Sequence, residues 1–178
     1  FKRKPEIKLA NSVAPMEFDA DGMGNSLVSI LKRSVDEVLQ VARQGLLLEY
    51  PVINVENATA AVTEGLTPFI KAYPAETVIN WQTDTINGRQ RLVLIVLKEK
   101  KKVFIDEFSS EVEDQYRALW LNSAGEYVQR VYDKSGAVLV QDENGGTDII
   151  PRQANGQAWN FIPFVFLGAI NNDPTPDI

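Results

Sequence analysis

The carboxylates with the most suggestive spacing lie just before the strongest helical pattern in the sequence. Asp19, Asp21 and Gly24 are spaced as at the start of a calcium-binding EF-hand loop, with Gly24 at the turn position. The third ligand position holds Met23, however, and the closing carboxylate position holds Ile30. Because calcium takes roughly six to eight oxygen ligands, this match fails. The two aspartates are better interpreted as negative charge beside the positive end of a helix.

Two further acidic segments leave open a carboxylate or divalent-cation-dependent hydrolase. The loop Asp142–Asp148 gathers three carboxylates among glycines, and Glu107, Glu111, Glu113 and Asp114 form an acidic run. Paired carboxylates can hydrolyse a glycosidic bond, but sequence spacing does not set their separation. A loop tip and a solvated strand face are the simpler interpretations. The sequence therefore assigns no catalytic, cofactor-binding or metal-binding residue.

Composition removes several classes of chemistry. The 178 residues contain no His and no Cys, which excludes thiol nucleophiles, Ser-His triads and the usual zinc sites within this chain. The net charge of -6 argues against a free-standing nucleic-acid binder, because such domains carry a basic surplus. The lysines at 98–102 are interpreted as a charged turn between strands. The apolar run Ala158–Ile170 is too short and too interrupted to cross a membrane.

One amphipathic helix is predicted, over about residues 26–44. Its apolar positions recur at intervals of three and four residues, as in a helix with one buried face. Asn25 or Ser26 is expected to cap the first free amides, and Gly45 is expected to end the helix in a left-handed conformation. Leu46–Tyr50 then has the pattern of a short buried strand, and Glu56–Glu64 that of a short helix.

From Pro68 onward the apolar period changes from 3.6 to about 2, which is typical of strands. Asn87-Gly88 is the strongest hairpin signal, joining a strand that contains Trp81 to the next strand. The predicted strands are Phe69–Tyr73, Val78–Gln82, Arg91–Lys98, Val103–Phe108, Tyr116–Leu121, Tyr127–Tyr132, Val138–Gln141 and Phe161–Phe166. Short turns between successive strands predict a mainly antiparallel β meander after the helix, and therefore an α+β fold.

The expected organisation is a single domain spanning residues 1–178 and cut from a longer protein. Its expected parts are an extended leading segment at 1–24, a helical part at 25–67, a β-rich part at 68–168 and a linker at 169–178. The missing initial Met and the Pro- and Asp-rich ending are the observations behind the expectation of a longer protein.

Several stretches, in order along the chain, together resemble one family. Asp21–Leu27 is similar to the pattern D-G-x-G-x-S-L that opens the family's first long helix. Val41–Pro51 is similar to G-R-x-G-L-L-V-D-Y-P, with Ala42 in place of Gly and Glu49 in place of Asp. The other matching stretches are Phe1–Ile7, Pro68–Trp81, Tyr116–Leu119 and Ile162–Phe166. The family is a domain of unknown function, encoded in the head-gene clusters of tailed phages and prophages and regarded as portal-like.

The resemblance implies a structural ring subunit of a phage head and no enzyme. It also implies a fold like the wing region of a portal protein, self-association in the full-length protein, and location in the virion or, for a prophage, in the bacterial cytoplasm. The implied partners are the capsid, the packaging ATPase (terminase) and head–tail connector proteins, with DNA in transient passage, no cofactor and no membrane. Alternatives are the hydrolase above and an interaction module that binds partners by strand addition.

Overall fold

The structure is a computed structural model that describes residues 7–50, 67–139, 146–153, 156–168 and 172. The described residues fall into two compact units, one within Phe1–Ala75 and Pro163–Asp173 and the other within Glu76–Ile162 and Pro174–Ile178. In chain order the elements are a 3-10 helix (Asn11–Glu17), α1 (Leu27–Val41), β1 (Arg43–Glu49), β2 (Phe69–Pro74), a short 3-10 helix (Ala75–Thr77), β3 (Val78–Ile86), β4 (Arg89–Phe104), β5 (Ser110–Leu121), β6 (Tyr127–Tyr132) and β7 (Phe164–Gly168).

The first unit is a three-stranded antiparallel sheet covered by helices. Strand β1 lies in the centre, between β2 and β7, and its Leu47 is completely buried. Leu46 and Leu48 beside it are partly buried, so β1 packs side chains on both faces of the sheet. The helices cover the face of the sheet that carries Leu48 and Ile70, through a cluster of Met16, Ala20 and Ile30, whereas Leu47 points to the opposite face.

Helix α1 begins as predicted but ends earlier. The Ser26 side-chain oxygen accepts a hydrogen bond from the Ser29 amide at 3.2 Å, which confirms Ser26 as the cap. The helix ends at Val41, because Ala42 turns left-handed with φ of 64°. The prediction of a helix to residue 44 is wrong, since Arg43 and Gln44 already belong to β1.

Gly45 was predicted to stop this helix, and that prediction is wrong. Gly45 lies within β1, where a Cβ atom would come 2.2 Å from the ring of Phe164. That ring is buried and packs against Tyr73 and Phe166, with centroid separations of 6.2 and 5.1 Å. The glycine is therefore required by the close approach of the aromatic ring, not by a left-handed backbone.

The buried face of α1 also differs from the apolar pattern in the sequence. The helix buries Ile30 and Ser34, whereas Leu31, Val35 and Leu39 are exposed. Successive residues of this exposed set are four apart, so they form one ridge beside the buried face. The 3.6-residue period identified the helix correctly but not the side that packs on the sheet.

The second unit is a four-stranded antiparallel meander in the order β3-β4-β5-β6. The hairpin at Asn87-Gly88 is confirmed, because Ile86 pairs with Arg89 across the turn. The largest fully buried side chains of this sheet belong to Ile95, Leu97, Leu119 and Tyr127. The strands predicted at 91–98 and 103–108 are instead one continuous strand, β4, because β5 pairs along it as far as Phe104.

The predicted fold class is wrong. The described residues form two antiparallel sheets and one α-helix, so the chain is mostly β and is not an α+β fold with a leading helical part or a portal wing-like shape. The physical reason is the burial of β1, which draws β2 and the distant β7 into a separate sheet instead of leaving them in one meander.

Two predicted elements fall partly or wholly outside the described residues. The short helix at 56–64 lies outside them altogether. Of the strand predicted at 138–141, Val138 forms an isolated bridge with Tyr132, and residues 140 and 141 lie outside the described residues.

Replacing Ala42 with Gly is expected to stabilise the first unit by about 0.5–1 kcal/mol, because glycine adopts the left-handed conformation without the cost of a Cβ atom. The free energy of unfolding can be measured in urea by circular dichroism at a helix-sensitive wavelength. Ala72→Gly is the control, since Ala72 lies within β2 and the same substitution there should destabilise by a similar amount. Equal losses in both variants would contradict the prediction.

Candidate functional site

A two-stranded arm projects from the sheet of the second unit. Strand β3 pairs with β4 only up to Leu97, and β6 pairs with β5 only from Tyr116 onward. Beyond these points β4 and β5 remain paired with each other, from Glu99 opposite Gln115 to Phe104 opposite Ser110. Within the described part of the chain, no strand flanks this arm. Its six pairs give it a length of roughly 20 Å at about 3.3 Å per residue.

A buried ion pair holds the base of the arm. Glu99 is 7% exposed and lies with one carboxylate oxygen 3.2 Å from Nε of Arg117. Its other oxygen accepts hydrogen bonds from Arg117, at 3.2 Å, and from the Gln115 amide, at 2.8 Å. Three nitrogen atoms, two of Arg117 and one of Gln115, contact this buried carboxylate. Because these contacts join β4 to β5, a change in the alignment of the two strands would break them.

Exposed ion pairs continue along the arm. Asp114 accepts from Lys100 and lies 2.8 Å from Nζ of Lys98, while Glu113 accepts from Lys134 at 2.6 Å. The hydrogen bond from Lys100, followed by that from Lys98, lowers the pKa of Asp114 from its usual value. The hydrogen bond to Asp114 in turn raises the pKa of Lys98.

The lysines at 98–102 lie within strand β4. Their interpretation as a charged turn between strands is wrong.

The tip of the arm is apolar and exposed. Phe108 is 98% exposed, Phe104 77%, Val112 64% and Ile105 60%. The turn that presents them is stabilised by Asp106, whose carboxylate accepts from the Phe108 amide at 2.9 Å. The side-chain hydrogen bond from Ser109 is the main cause of the lowered pKa of Asp106. Four large apolar side chains on a projecting turn form the kind of patch that protein surfaces use for contacts.

Sequence reasoning missed this tip because it placed the turn in the lysine segment. The available signal was Asp106, with Ser109 and Ser110 nearby, since Asp and Ser are common in turns that are closed by their own side chains. The residues next to Phe104 and Phe108 in the sequence do not indicate that these side chains are exposed. The same residues would be buried if further strands or another element packed against them.

The first unit contains a groove of about 430 Å³, formed between the start of α1 and β2. Its apolar lining includes Ile30, Phe69 and Ile70, and charged side chains stand among them. The charged lining residues are Asp21, Arg33, Glu49 and Lys71. The groove therefore offers an apolar surface together with both signs of charge.

The loop beside the groove is organised by its own carboxylates. Asp21 accepts hydrogen bonds from the Asn25 side chain at 2.7 Å and from the amides of Met23 and Asn25 at 2.9 and 3.2 Å. Asp19 accepts from the Gly24 amide at 2.9 Å. Burial pushes the pKa of Asp21 upward, but these hydrogen bonds outweigh it and leave the pKa lowered. Both aspartates thus shape the turn that precedes α1.

The four acidic residues of the run at 107–114 all lie on the arm, where their surroundings differ. Glu113 and Asp114 bind lysines of the arm, whereas Glu107 and Glu111 are exposed near its tip. Among the described residues, no group of three or more His, Cys, Asp or Glu is arranged to hold a metal ion.

The loop at 142–148 lies partly outside the described residues, which include its last three positions. Asp148 accepts from Nε of Arg130 at 2.5 Å and from a terminal guanidinium nitrogen at 2.9 Å. The Arg130 hydrogen bond lowers the pKa of Asp148. This carboxylate is therefore held by a bidentate pair, a geometry that stabilises its charged form.

No family model matches this chain, and no curated protein matches it. The described helices include none that is long and apolar enough to span a membrane. The candidate site is accordingly defined by geometry: an arm with an apolar tip in one unit and a groove with a charged rim in the other.

Removing the guanidinium of Arg117 is expected to destabilise the second unit strongly. Arg117→Met leaves Glu99 buried without its cation, and breaking such a pair costs about 3–5 kcal/mol. Urea unfolding followed by tryptophan fluorescence reports on this unit, because Trp81, Trp120 and Trp159 all belong to it. Lys134→Met is the control, since its exposed pair with Glu113 is worth about 0–1 kcal/mol. Similar losses in the two variants would refute a special role for the buried pair.

The Asp114 carboxyl is expected to titrate below the usual value of about 3.9. Because its pKa is lowered by folding, its charge contributes stability above the unfolded-state pKa, and this contribution is lost as the pH falls through the folded-state pKa. Carbon-detected NMR of the carboxyl group measures the titration directly. In Lys98→Met/Lys100→Met the pKa should return toward the usual value, and an unchanged titration would exclude the lysines as the cause.

Proposed function

We propose that this chain is a structural component of a tailed-phage or prophage head, acting as a portal-like, ring-forming subunit. The observation that carries the proposal is the arm, which exposes Phe104 and Phe108 at the end of a stabilised ribbon. Such a projection presents exposed apolar side chains, which are suited to contact with another protein. The sequence resemblance at Asp21–Leu27 and at Val41–Pro51 supplies the class of assembly.

The hydrogen bonding of the carboxylates supports a structural role over the hydrolase alternative. Asp21, Asp114 and Asp148 each accept hydrogen bonds that stabilise the charged form. The pKa of each is lowered, whereas a general acid at neutral pH needs a raised pKa. These groups therefore act as fixed acceptors that order turns and strands.

The partners follow from the proposed class. They are further copies of the same chain, the capsid, the packaging ATPase and the head–tail connector proteins, with DNA passing through the ring. A net charge of -6 suits such a passage, because a strongly basic surface would retain the phosphate backbone. The expected location is the virion, or the bacterial cytoplasm when a prophage expresses the gene.

A second candidate function is an interaction module that binds partners by strand addition. Strand β7 favours it, because Phe164–Gly168 forms an edge of the three-stranded sheet and carries no charged residue. Charged side chains on edge strands normally discourage such pairing. An extended segment of a partner could hydrogen-bond along this edge as an added strand.

Electron microscopy of the full-length polypeptide that carries this sequence tests the two candidates. A ring-forming subunit should give annular particles with a central hole. A protein that stays monomeric in sedimentation at high concentration would refute the ring. If that monomer also bound an extended peptide, and lost the binding on Val165→Lys, which puts a charge on an exposed position of β7, strand addition would become the better explanation.

A further inference from the structure

We propose that the apolar tip of the arm in one copy of this chain inserts into the groove of the first unit in a second copy. The tip is defined by Phe104, Ile105, Phe108 and Val112, and the groove by the lining between α1 and β2. This inference rests on the proposed function, and it specifies which surfaces join neighbouring subunits.

The arm has the reach and the support that insertion requires. It extends roughly 20 Å beyond the flanking strands at about 3.3 Å per residue. The lysine pairs with Asp114 and the buried Glu99–Arg117 pair order it before contact. An ordered projection loses little conformational freedom on binding, so more of the contact energy remains as affinity.

The groove has the size and chemistry to receive the tip. Its volume of about 430 Å³ is within the range of protein pockets that enclose a small ligand. Ile30, Phe69 and Ile70 offer apolar contacts for an aromatic ring, and Met23 lies at the lining with an adaptable side chain. Burying Phe108, which is 98% exposed, removes a large apolar area from water.

The tip and the groove each carry positive and negative side chains, so opposite charges can meet across the contact. The tip carries Glu107 at its turn and Lys101 on the strand behind it, both exposed. The groove carries Arg33 and Lys71 together with two carboxylates. Insertion can therefore place Glu107 beside a cation of the groove and Lys101 beside an anion.

The two surfaces are different, so the contact is heterologous. A patch on one part of a molecule that fits a pocket on another part generates a closed ring or an open filament, depending on the rotation between copies. A symmetric pair of tips would give only a dimer. The tip-to-groove contact is thus the kind of interface that a ring subunit needs.

Disulfide trapping tests the contact directly, because the chain has no native Cys. Phe108→Cys and Met23→Cys are made in separate preparations of the 178-residue chain, mixed and oxidised, so that a disulfide between them must join two copies. The mixture is expected to give a linked dimer at a yield roughly tenfold above that of a Phe108→Cys/Ala124→Cys mixture, because proximity raises the effective concentration of the thiols. Ala124 is the control because it is exposed and lies in a distant turn of the sequence.

Each other outcome overturns the inference. Linkage of Phe108→Cys mainly with itself would indicate a symmetric tip-to-tip contact. In a chain that carries both Phe108→Cys and Met23→Cys, a disulfide within the monomer, without dimers in the mixture of single variants, would place the tip in the groove of its own chain. Yields equal to the control would exclude the contact. If the full-length protein still formed rings in any of these cases, the proposed function would stand while the inference failed.

A charge on the tip gives an independent readout. In the full-length polypeptide, Phe108→Asp is expected to weaken self-association in sedimentation by roughly tenfold or more, because it puts a carboxylate into an apolar contact. Phe18→Asp is the matched control, since Phe18 is 75% exposed and does not line the groove. Equal association of the two variants would overturn the inference, and circular dichroism verifies that both remain folded.

Discussion

The antiparallel register of β4 and β5 is the constraint on which the arm and its tip depend. It places Leu97 opposite Arg117 and Glu99 opposite Gln115, so that Glu99 reaches both polar partners from one buried position. A slip by one residue would turn every side chain of β4 to the other face of the sheet. Leu97 would leave the core and Glu99 would lose its cation, which makes the observed register strongly preferred.

Charged residues in this chain mainly organise backbone and strand geometry. Asp21 and Asp106 each accept a hydrogen bond from the backbone amide two residues later in the chain. Asp114 and Asp148 accept hydrogen bonds from a lysine and an arginine of neighbouring segments. Individual exposed pairs contribute little free energy, but together they define how the loop beside the groove and the arm are presented. The same carboxylates that look available for chemistry in the sequence are thus occupied in holding the two candidate contact surfaces.

The two units reach their cores by different means. In the first, helix α1 and a 3-10 helix cover a small sheet, and Gly45 allows the Phe164 ring to lie directly on β1. In the second, the meander buries Leu119 and Tyr127, and the chain after β6 returns so that Trp159 accepts a hydrogen bond from the Tyr127 amide. The residues at the end of β4 and in the turn that follows it are exposed, among them Phe104, Ile105 and Phe108.

Short-range chemistry was readable in the sequence. Ser26 as a helix cap and Asn87-Gly88 as a hairpin turn were predicted correctly, because each depends on hydrogen bonds or dihedral angles within a few residues. The alternation in Tyr127–Tyr132 likewise marked a strand with the bounds that the structure has. The absence of His and Cys limited the possible chemistry without reference to any fold.

Only the tertiary structure decided how these elements combine. Helix α1 ended before the predicted residue because Arg43 pairs with Gly168 of β7. The pairing of β1 with β7 also placed these strands in a sheet separate from the meander, and the α+β prediction was therefore wrong. The continuous β4 and its exposed tip depend on how far β3 and β6 extend beside it. These outcomes rest on contacts between residues far apart in the chain, and local period and turn chemistry carry no information about which distant segments will meet.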